Sequence, residues 1–557
     1  MQSCCARFRR SFERTARIKP ALRLIEPQRR PTDAALATSA LFVIAATLGS
    51  TILGFMREVV NARYYGTQWE MDTFLAAAVI PTILFGVFNG ALVSALVPTF
   101  TEYIAGGHDD EGWRLANTII NGLFLLLTLC AIAGWVFAPV YVPFIAHGFP
   151  APQMGVAVRM TRWLMPSIVA VSLAGVFSAI LNAHHRFRAA SLTGIAVNAV
   201  TIACVVILNH KFGIYALVLG TALGLVAQML VQVPALLVTR RYRFILDLRH
   251  PGLRRMWAML GPIIVGSAAG QIAIFFDRYF ASTLSPGYIA GMNYATKLVG
   301  FPQQIFAAAI ATVIFPLLAS EFARENRAAV AKSVTTGLRL VNFITIPSVC
   351  ALIVLAYPMV QTLFERGTFK STATDLCAGL LPYAAVGLVA LAANVVLTRC
   401  AFACKETGWT VGISVFTVVV NVLLSVLWLP TLGARGLLLA NSISQTMQAV
   451  MLLALVQRLV HRIDWGLLAR STAKILVCSG VMVGSLHWIA ALGVRPDPSF
   501  VSRAWFLFGQ LAIGGLAFIA TARLLNVEEL ATAVAFIIQK FARNVPSPPE
   551  NREAPIA

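Results

Sequence analysis

Gly54-Phe55-Met56-Arg57-Glu58 closes one apolar run, Tyr64-Tyr65-Gly66 follows, and Glu70-Met71-Asp72 opens a second run that reaches Pro81. Charges therefore sit where one membrane-length segment ends and the next begins. An ionisable group at or inside a membrane edge is expensive and marks function by default. About 220 positions later the pattern returns as Asp277-Arg278, then Ser285-Pro286-Gly287, then Lys297 and Pro302. The two copies are expected to face each other across a cavity that handles an anionic lipid head group.

Composition agrees with a chain built for the bilayer. Of 557 residues, 58% are hydrophobic and only 12% charged, and mean hydropathy is +0.77. Soluble domains carry about 25% charged residues. The fold class is all-α and polytopic. The net charge of +21 would suit nucleic acid, but the bases lie in short loops between apolar runs, which fits positive-inside topology instead. The nine cysteines lie mostly in apolar runs or on the expected inner side, so no disulfide framework is implied. Cys400 and Cys404, one helical turn apart, read as small buried hydrophobes rather than metal ligands.

Taken in order, residues 1–33 form a basic arm without the short apolar core of a signal peptide, expected in the cytosol. Fourteen apolar runs follow: 34–56, 73–101, 115–140, 163–183, 189–209, 212–239, 256–276, 298–320, 340–364, 376–398, 407–430, 436–457, 475–494 and 504–522. Each suits a span of roughly 20 residues. Residues 140–158 are expected at the interface. An even number of spans puts both termini on one side. With the termini inside, inner loops and tails hold nearly three quarters of the 44 Lys and Arg, so both ends are expected in the cytoplasm. The segment 527–541 is amphipathic and suits the inner surface, and the Pro-rich end beyond it suits disorder.

The run from Gly213 to Gln228 is echoed from Gly433 to Gln448, and Pro98 with Glu102 by Pro316 with Glu321. The common offset of about 220 holds six spans. An even number preserves orientation, so the repeat is parallel, with a site between its halves near the midplane. The expected layout is a lobe over 34–239, a basic linker over 240–255, a second lobe over 256–458, two extra helices over 459–523 and a cytosolic tail over 524–557. Pro81, Pro98, Pro302 and Pro316 are expected to break helices at matching places.

Arg57 is the first candidate ligand, because a guanidinium fork suits phosphate oxygens and stays charged in low dielectric. Snorkelling to the interface or pairing with Glu58 or Asp72 is the alternative. Glu58 and Arg63 complete the charged group. Asp72 orients Arg57 or caps its own helix. Lys297 opens the eighth span as a phosphate ligand or a snorkelling lysine. Asp277-Arg278 reads as a structural pair at a helix end. Gly86, Asn89 and Gly90 suggest a bend or close helix contact. No catalytic constellation, metal cluster, cofactor motif or nucleotide loop is present, so the chain is expected to be no enzyme and to need no cofactor.

Several strings together resemble the MurJ/MviN lipid II flippases of the multidrug/oligosaccharidyl-lipid/polysaccharide exporter superfamily. They are Leu53 to Glu58, Asp72-Thr73-Phe74-Leu75-Ala76, Ile180-Leu181-Asn182 with Arg186-Phe187, Gly261-Pro262, Tyr294 to Leu298, and Leu363-Phe364-Glu365-Arg366-Gly367-Thr368-Phe369. The resemblance covers about 34–523. It implies a fourteen-helix protein of the bacterial inner membrane with a central cationic cavity. Such a protein moves undecaprenyl-diphosphate-linked disaccharide-pentapeptide between leaflets by alternating access, for peptidoglycan and cell-wall synthesis and hence cell shape. Its partners would be that lipid and the surrounding membrane lipids, and it would act as a monomer. Arg57 matches the family's arginine at the end of the first span, Asp72 an acid in the second, and Lys297 a position usually held by arginine. The chain departs from the pattern at Thr51, Phe85 and Gly86, where the family carries basic residues. Fewer cations weaken the pairing of a buried diphosphate. A flippase of another polyprenyl-diphosphate-linked oligosaccharide is therefore the runner-up. A cation-coupled drug antiporter would want acids deep in the lobes, and a glycan ligase would want large outer loops, and neither feature is present.

Overall fold

The computed structural model describes residues 33–184, 186–237, 242–303, 321–322, 324, 326–404, 406–460, 463–493, 497 and 499–531. The basic arm, Pro316 and most of the amphipathic tail lie outside them. The chain divides into 1–45 and 46–557. Of the first unit only the start of one helix is described, and the packing and the candidate site belong to the second.

Among the described residues the regular structure is helical. Helix α1 (Asp33–Tyr65) leads to α2 (Trp69–Ala77) and α3 (Val79–Ala105), then to the long α4 (Asp109–Ile145). Next come α5 (Ala151–Leu164), α6 (Ser167–Ala183), the short α7 (Phe187–Ser191), α8 (Thr193–Phe212), α9 (Tyr215–Leu230) and α10 (Val233–Leu237). The second half holds α11 (Pro251–Ala281), α12 (Tyr288–Pro302), α13 (Arg327–Val354), α14 (Ala356–Phe364), α15 (Ser371–Ala385), α16 (Leu388–Ala403), α17 (Thr407–Leu432) and α18 (Ala434–Val460). Helices α19 (Trp465–Ala491) and α20 (Phe500–Leu524) end the order.

Among the described residues ten helical stretches are long and apolar enough to cross a membrane, or eleven if α15 and α16, bent by 43°, form one span. Each falls on an expected run. Of the other three expected runs, 34–56 and 256–276 fall on α1 and α11, whose side chains are only partly described, and 298–320 lies outside the described residues beyond its start at the end of α12. One expectation needs correcting: Pro98 does not break a helix, because α3 runs through it. Membrane helices tolerate proline where neighbours and side chains satisfy the freed carbonyls. The break lies earlier, at Ala78 between α2 and α3. Residues 140–158 are also more regular than expected, since α4 runs to Ile145 and α5 begins at Ala151.

The repeat is visible in backbone angles. Gly213, ending α8, has φ 53° and ψ −133°, and Gly433, ending α17, has φ 56° and ψ −133°. Both donate to the carbonyl four residues back, at 2.8 and 3.0 Å. A side chain is disfavoured there, so glycine stands at both places. Arg186 and Glu406 repeat φ −93° with ψ 55° and 56°, and their N–H groups bond Leu181 O and Ala401 O at 2.8 and 2.9 Å. The pairs α8–α9 and α17–α18 pack in the same way. In α9, Gly220 and Gly224 let the backbone approach Cys204, Thr201 and Val197 of α8. The matching positions of α18 are Ala440 and Ser444, again small. The halves meet along α3 and α11, and at a seam where α2 and the end of α1 approach α12, α14 and α15.

Candidate functional site

The seam is built around Asp72. Its side chain, 2% exposed, accepts from Gly287 N at 2.5 Å and Ala290 N at 2.7 Å. These are N–H groups of the N-cap residue and the first turn of α12, which have no intrahelical partner and lie at the positive end of the helix dipole. Asp72 thus caps a helix of the other half, neither its own helix nor a partner of Arg57. Gly287 takes φ +94°, and a Cβ there would lie 2.5 Å from Thr67 O. Tyr294, fully buried, donates to Gly66 O at 3.3 Å. Its ring packs against Phe364 and Phe369 at 5.2 and 5.7 Å, and Phe55 reaches Phe301 and Phe364 at 5.4 and 6.2 Å. Thr368 N donates to Arg63 O at 2.9 Å. Apolar burial and backbone bonds together close this end of the bundle.

Just inside the seam lie the charges. Arg57 donates to Glu58 Oε1 at 2.8 Å, with side chains 28% and 7% exposed. Lys297 is exposed, and its charge acts on Glu58 beside that of Arg57. Cations from both halves thus act on one carboxylate, Arg57 in direct contact and Lys297 at longer range, which leaves the group net positive. The structure pairs Arg57 with Glu58 and leaves Lys297 within electrostatic range of that pair. It places the Arg63 guanidinium elsewhere, exposed and 5.9 Å from the Tyr64 ring centre, while the Arg63 carbonyl is bonded in the seam. Arg278 does not simply pair with its neighbour Asp277. It reaches Ile289 O and Asn293 Oδ1 of α12, both at 3.5 Å, and lies near Asp72.

Sequence reasoning missed Gln271 of α11. A Cβ on Gly86 of α3 would collide with its amide, and Gln271 Oε1 is buried without a hydrogen-bond partner among the described residues. A lone glutamine in the apolar run 256–276 was the available signal. Gly86 is thus a close helix contact, as its type suggested, and Thr51 bonds only Thr47 O of its own helix, at 2.9 Å. A cavity of about 350 Å³, lined by Thr99, Glu102, Tyr103, His108, Pro251, Gly252 and Arg255, lies toward the opposite ends of α3 and α11. Among the described residues no group of His, Cys, Asp and Glu could hold a metal. The arrangement suits electrostatic binding of an anion, with the guanidinium fork and the ammonium as donors.

Residues 61–496 match the model of a family described as lipid II flippase MurJ. A probable lipid II flippase MurJ of Vibrio cholerae is 29% identical over 520 residues, covering 88% of this chain and 96% of that protein. The lipid II flippase MurJ of Burkholderia cenocepacia is 28% identical over 498 residues, covering 86% and 96%. A solved lipid II flippase MurJ in an inward closed conformation superposes with a TM-score of 0.74 at 24% identity, over 87% of this chain and 98% of that one. An inward-facing multidrug resistance MATE transporter shares the fold, with a TM-score of 0.64 at 16% identity.

Proposed function

We propose that this chain, which belongs to the MurJ lipid II flippase family, moves lipid II from the inner to the outer leaflet of the bacterial inner membrane by alternating access. Lipid II is the undecaprenyl-diphosphate-linked precursor of peptidoglycan. The observation that carries the reading is the Arg57–Glu58 ion pair of one half beside the closed seam, with Lys297 of the other half exposed within electrostatic range of it. A diphosphate arriving between the halves meets both cations and competes with Glu58 for Arg57. The lipid tail stays in hydrocarbon, where burial of each CH₂ is worth about 0.8 kcal/mol.

Positive-inside counting puts the termini and the 350 Å³ cavity in the cytoplasm and the seam outside. In that orientation the molecule is closed outward. We read 34–239 and 256–458 as the two lobes, 459–523 as an added helix pair, and the functional unit as a monomer that acts as a transporter rather than an enzyme. Binding and release follow from the two lobes rocking about the α3–α11 contact, as in transporters built from repeats.

A second reading, transport of another polyprenyl-diphosphate-linked oligosaccharide, is favoured by one observation: Thr51 and Phe85 carry no charge, nor does Gly86, where Gln271 fills the space. Complementation separates the two. In cells depleted of their resident lipid II flippase, this gene should restore growth and cell shape. Membrane expression without rescue would transfer the proposal to the surface-polysaccharide reading.

A further inference from the structure

Glu365 begins the loop between α14 and α15, and three partners hold it. Arg503, in the first turn of α20, donates to Oε1 at 3.0 Å, Thr374 to Oε2 at 2.8 Å, and Gln361 to Oε1 at 3.4 Å. The Glu365 and Arg503 side chains are 17% and 20% exposed. The Arg366 guanidinium lies 4.3 Å from the ring centre of Phe500, also in α20. The next residues cross to the first half of the molecule. Thr368 bonds Arg63 O through N–H and hydroxyl, at 2.9 and 3.1 Å. Gly367, with φ +64°, lies so close to Arg63 O that a side chain would not fit. Phe369 then packs on Tyr294 at 5.7 Å. Within five residues the loop joins α20 to the end of α1.

Helix α20 is also tied at its other end. Past Leu524, Glu529 bonds Arg339 of α13 and accepts from Ser471 of α19 at 2.5 Å, and Arg339 donates to Glu528 at 2.8 Å. The helix is thus fixed to α13 and α19 at one end and to the seam loop at the other.

We propose that Glu365 is a positioning residue for the gate: its pair with Arg503 makes α20 a splint that presses loop 365–369 against the end of α1 and holds the seam shut. This rests on reading the seam as the outer gate. Loss of one partner leaves a mostly buried charge unpaired, whereas closure with both in place satisfies it. The loop then has two discrete arrangements, docked on Arg63 and released, which is the kind of bistable contact through which transporters switch. The last two helices, outside the repeat, thereby set how readily the halves part.

Cys377 supplies the reporter. It lies in α15, fully buried in the seam core, with its Sγ 3.7 Å from Gly291 O. Its reaction with a membrane-impermeant maleimide, added from outside to cells expressing the full chain and located by peptide mass, reads seam opening whatever the substrate. Glu365→Gln and Arg503→Gln should each speed labelling about fivefold or more. The exchange Glu365→Arg with Arg503→Glu should return the rate toward that of the unsubstituted chain. Phe500→Ala, which unpairs no charge, should give a smaller increase. Thr374→Ala frees the same carboxylate locally but keeps the link to α20, and should leave the rate unchanged. The proposal is overturned if the folded Gln variants and Phe500→Ala label at the original rate. It is also overturned if Thr374→Ala labels as fast as Arg503→Gln, because fraying of α15 would then explain the result. Accelerated labelling in a chain that fails to transport lipid II would leave the splint standing and remove the substrate reading.

Discussion

Glu58 is 6% exposed, pairs with Arg57 at 2.8 Å and feels the charge of Lys297 from the other half. This local balance explains how two cations persist beside an apolar seam: Arg57 is compensated by its ion pair with Glu58, and Lys297 stays exposed. It also separates two arginines that look alike in sequence. Arg57→Ala should abolish rescue of flippase-depleted cells, whereas Arg63→Ala should keep it, because the seam uses the carbonyl of Arg63 and not its guanidinium. Growth of the Arg57→Ala strain at the original rate would remove that residue from the site. Asp72→Asn keeps one acceptor oxygen for two buried N–H donors. A hydrogen bond to a charged group contributes about 1.5–3 kcal/mol, so thermal unfolding of the purified protein should occur at a clearly lower temperature than for the unsubstituted chain. The importance of Asp72 was legible in the sequence, but its partner was not. A cap supplied across some 215 positions is a tertiary fact, and the local alternatives, Arg57 or its own helix, were the only ones the neighbouring residues offered.

The paired elements carry the repeat, and there the sequence was most informative. The offset of about 220 seen in scattered letters reappears as matched backbone angles at Gly213 and Gly433 and at Arg186 and Glu406. Glycine was readable at those helix ends because it alone adopts their conformation without strain. Nothing lies within 4 Å of a Cβ built on Gly213, so Gly213→Ala tests the backbone alone. It should lower unfolding stability by about 1–3 kcal/mol without altering neighbouring contacts, and an unchanged melting temperature would show that the conformation is not strained. Proline was read less well. Pro98 sits inside a continuous α3 because sequence shows the missing N–H but not the neighbours that compensate for it. The loop at Glu365 was singled out as a specific string, yet its reach to both α1 and α20 needed the fold.

At the scale of the molecule, two halves close at one end beside a cationic site, and a final helix pair is pinned to the second half. The pin beyond α20 has a definite pH signature. Burial pushes the Glu529 carboxyl up, but hydrogen bonds from Arg339 and Ser471 outweigh it and hold the group below the ordinary carboxylate range. A lowered folded-state value stabilises above the unfolded value, about 4.5, and that contribution is lost as pH falls through the folded one. Glu529→Gln should therefore melt at a lower temperature than the unsubstituted chain near pH 7, with the gap closing in acid, and a gap that stays constant with pH would contradict the pairing. The measurement that bears most directly on the cationic pair is the fraction of lipid II exposed on the outer leaflet of flippase-depleted cells supplied with this chain. Outer-leaflet lipid II should reach the level of undepleted cells with the unsubstituted chain and with Lys297→Arg, and fall to the depleted level with Arg57→Ala or Lys297→Ala. Full exposure with the double variant Arg57→Ala, Lys297→Ala at equal membrane abundance would contradict the account.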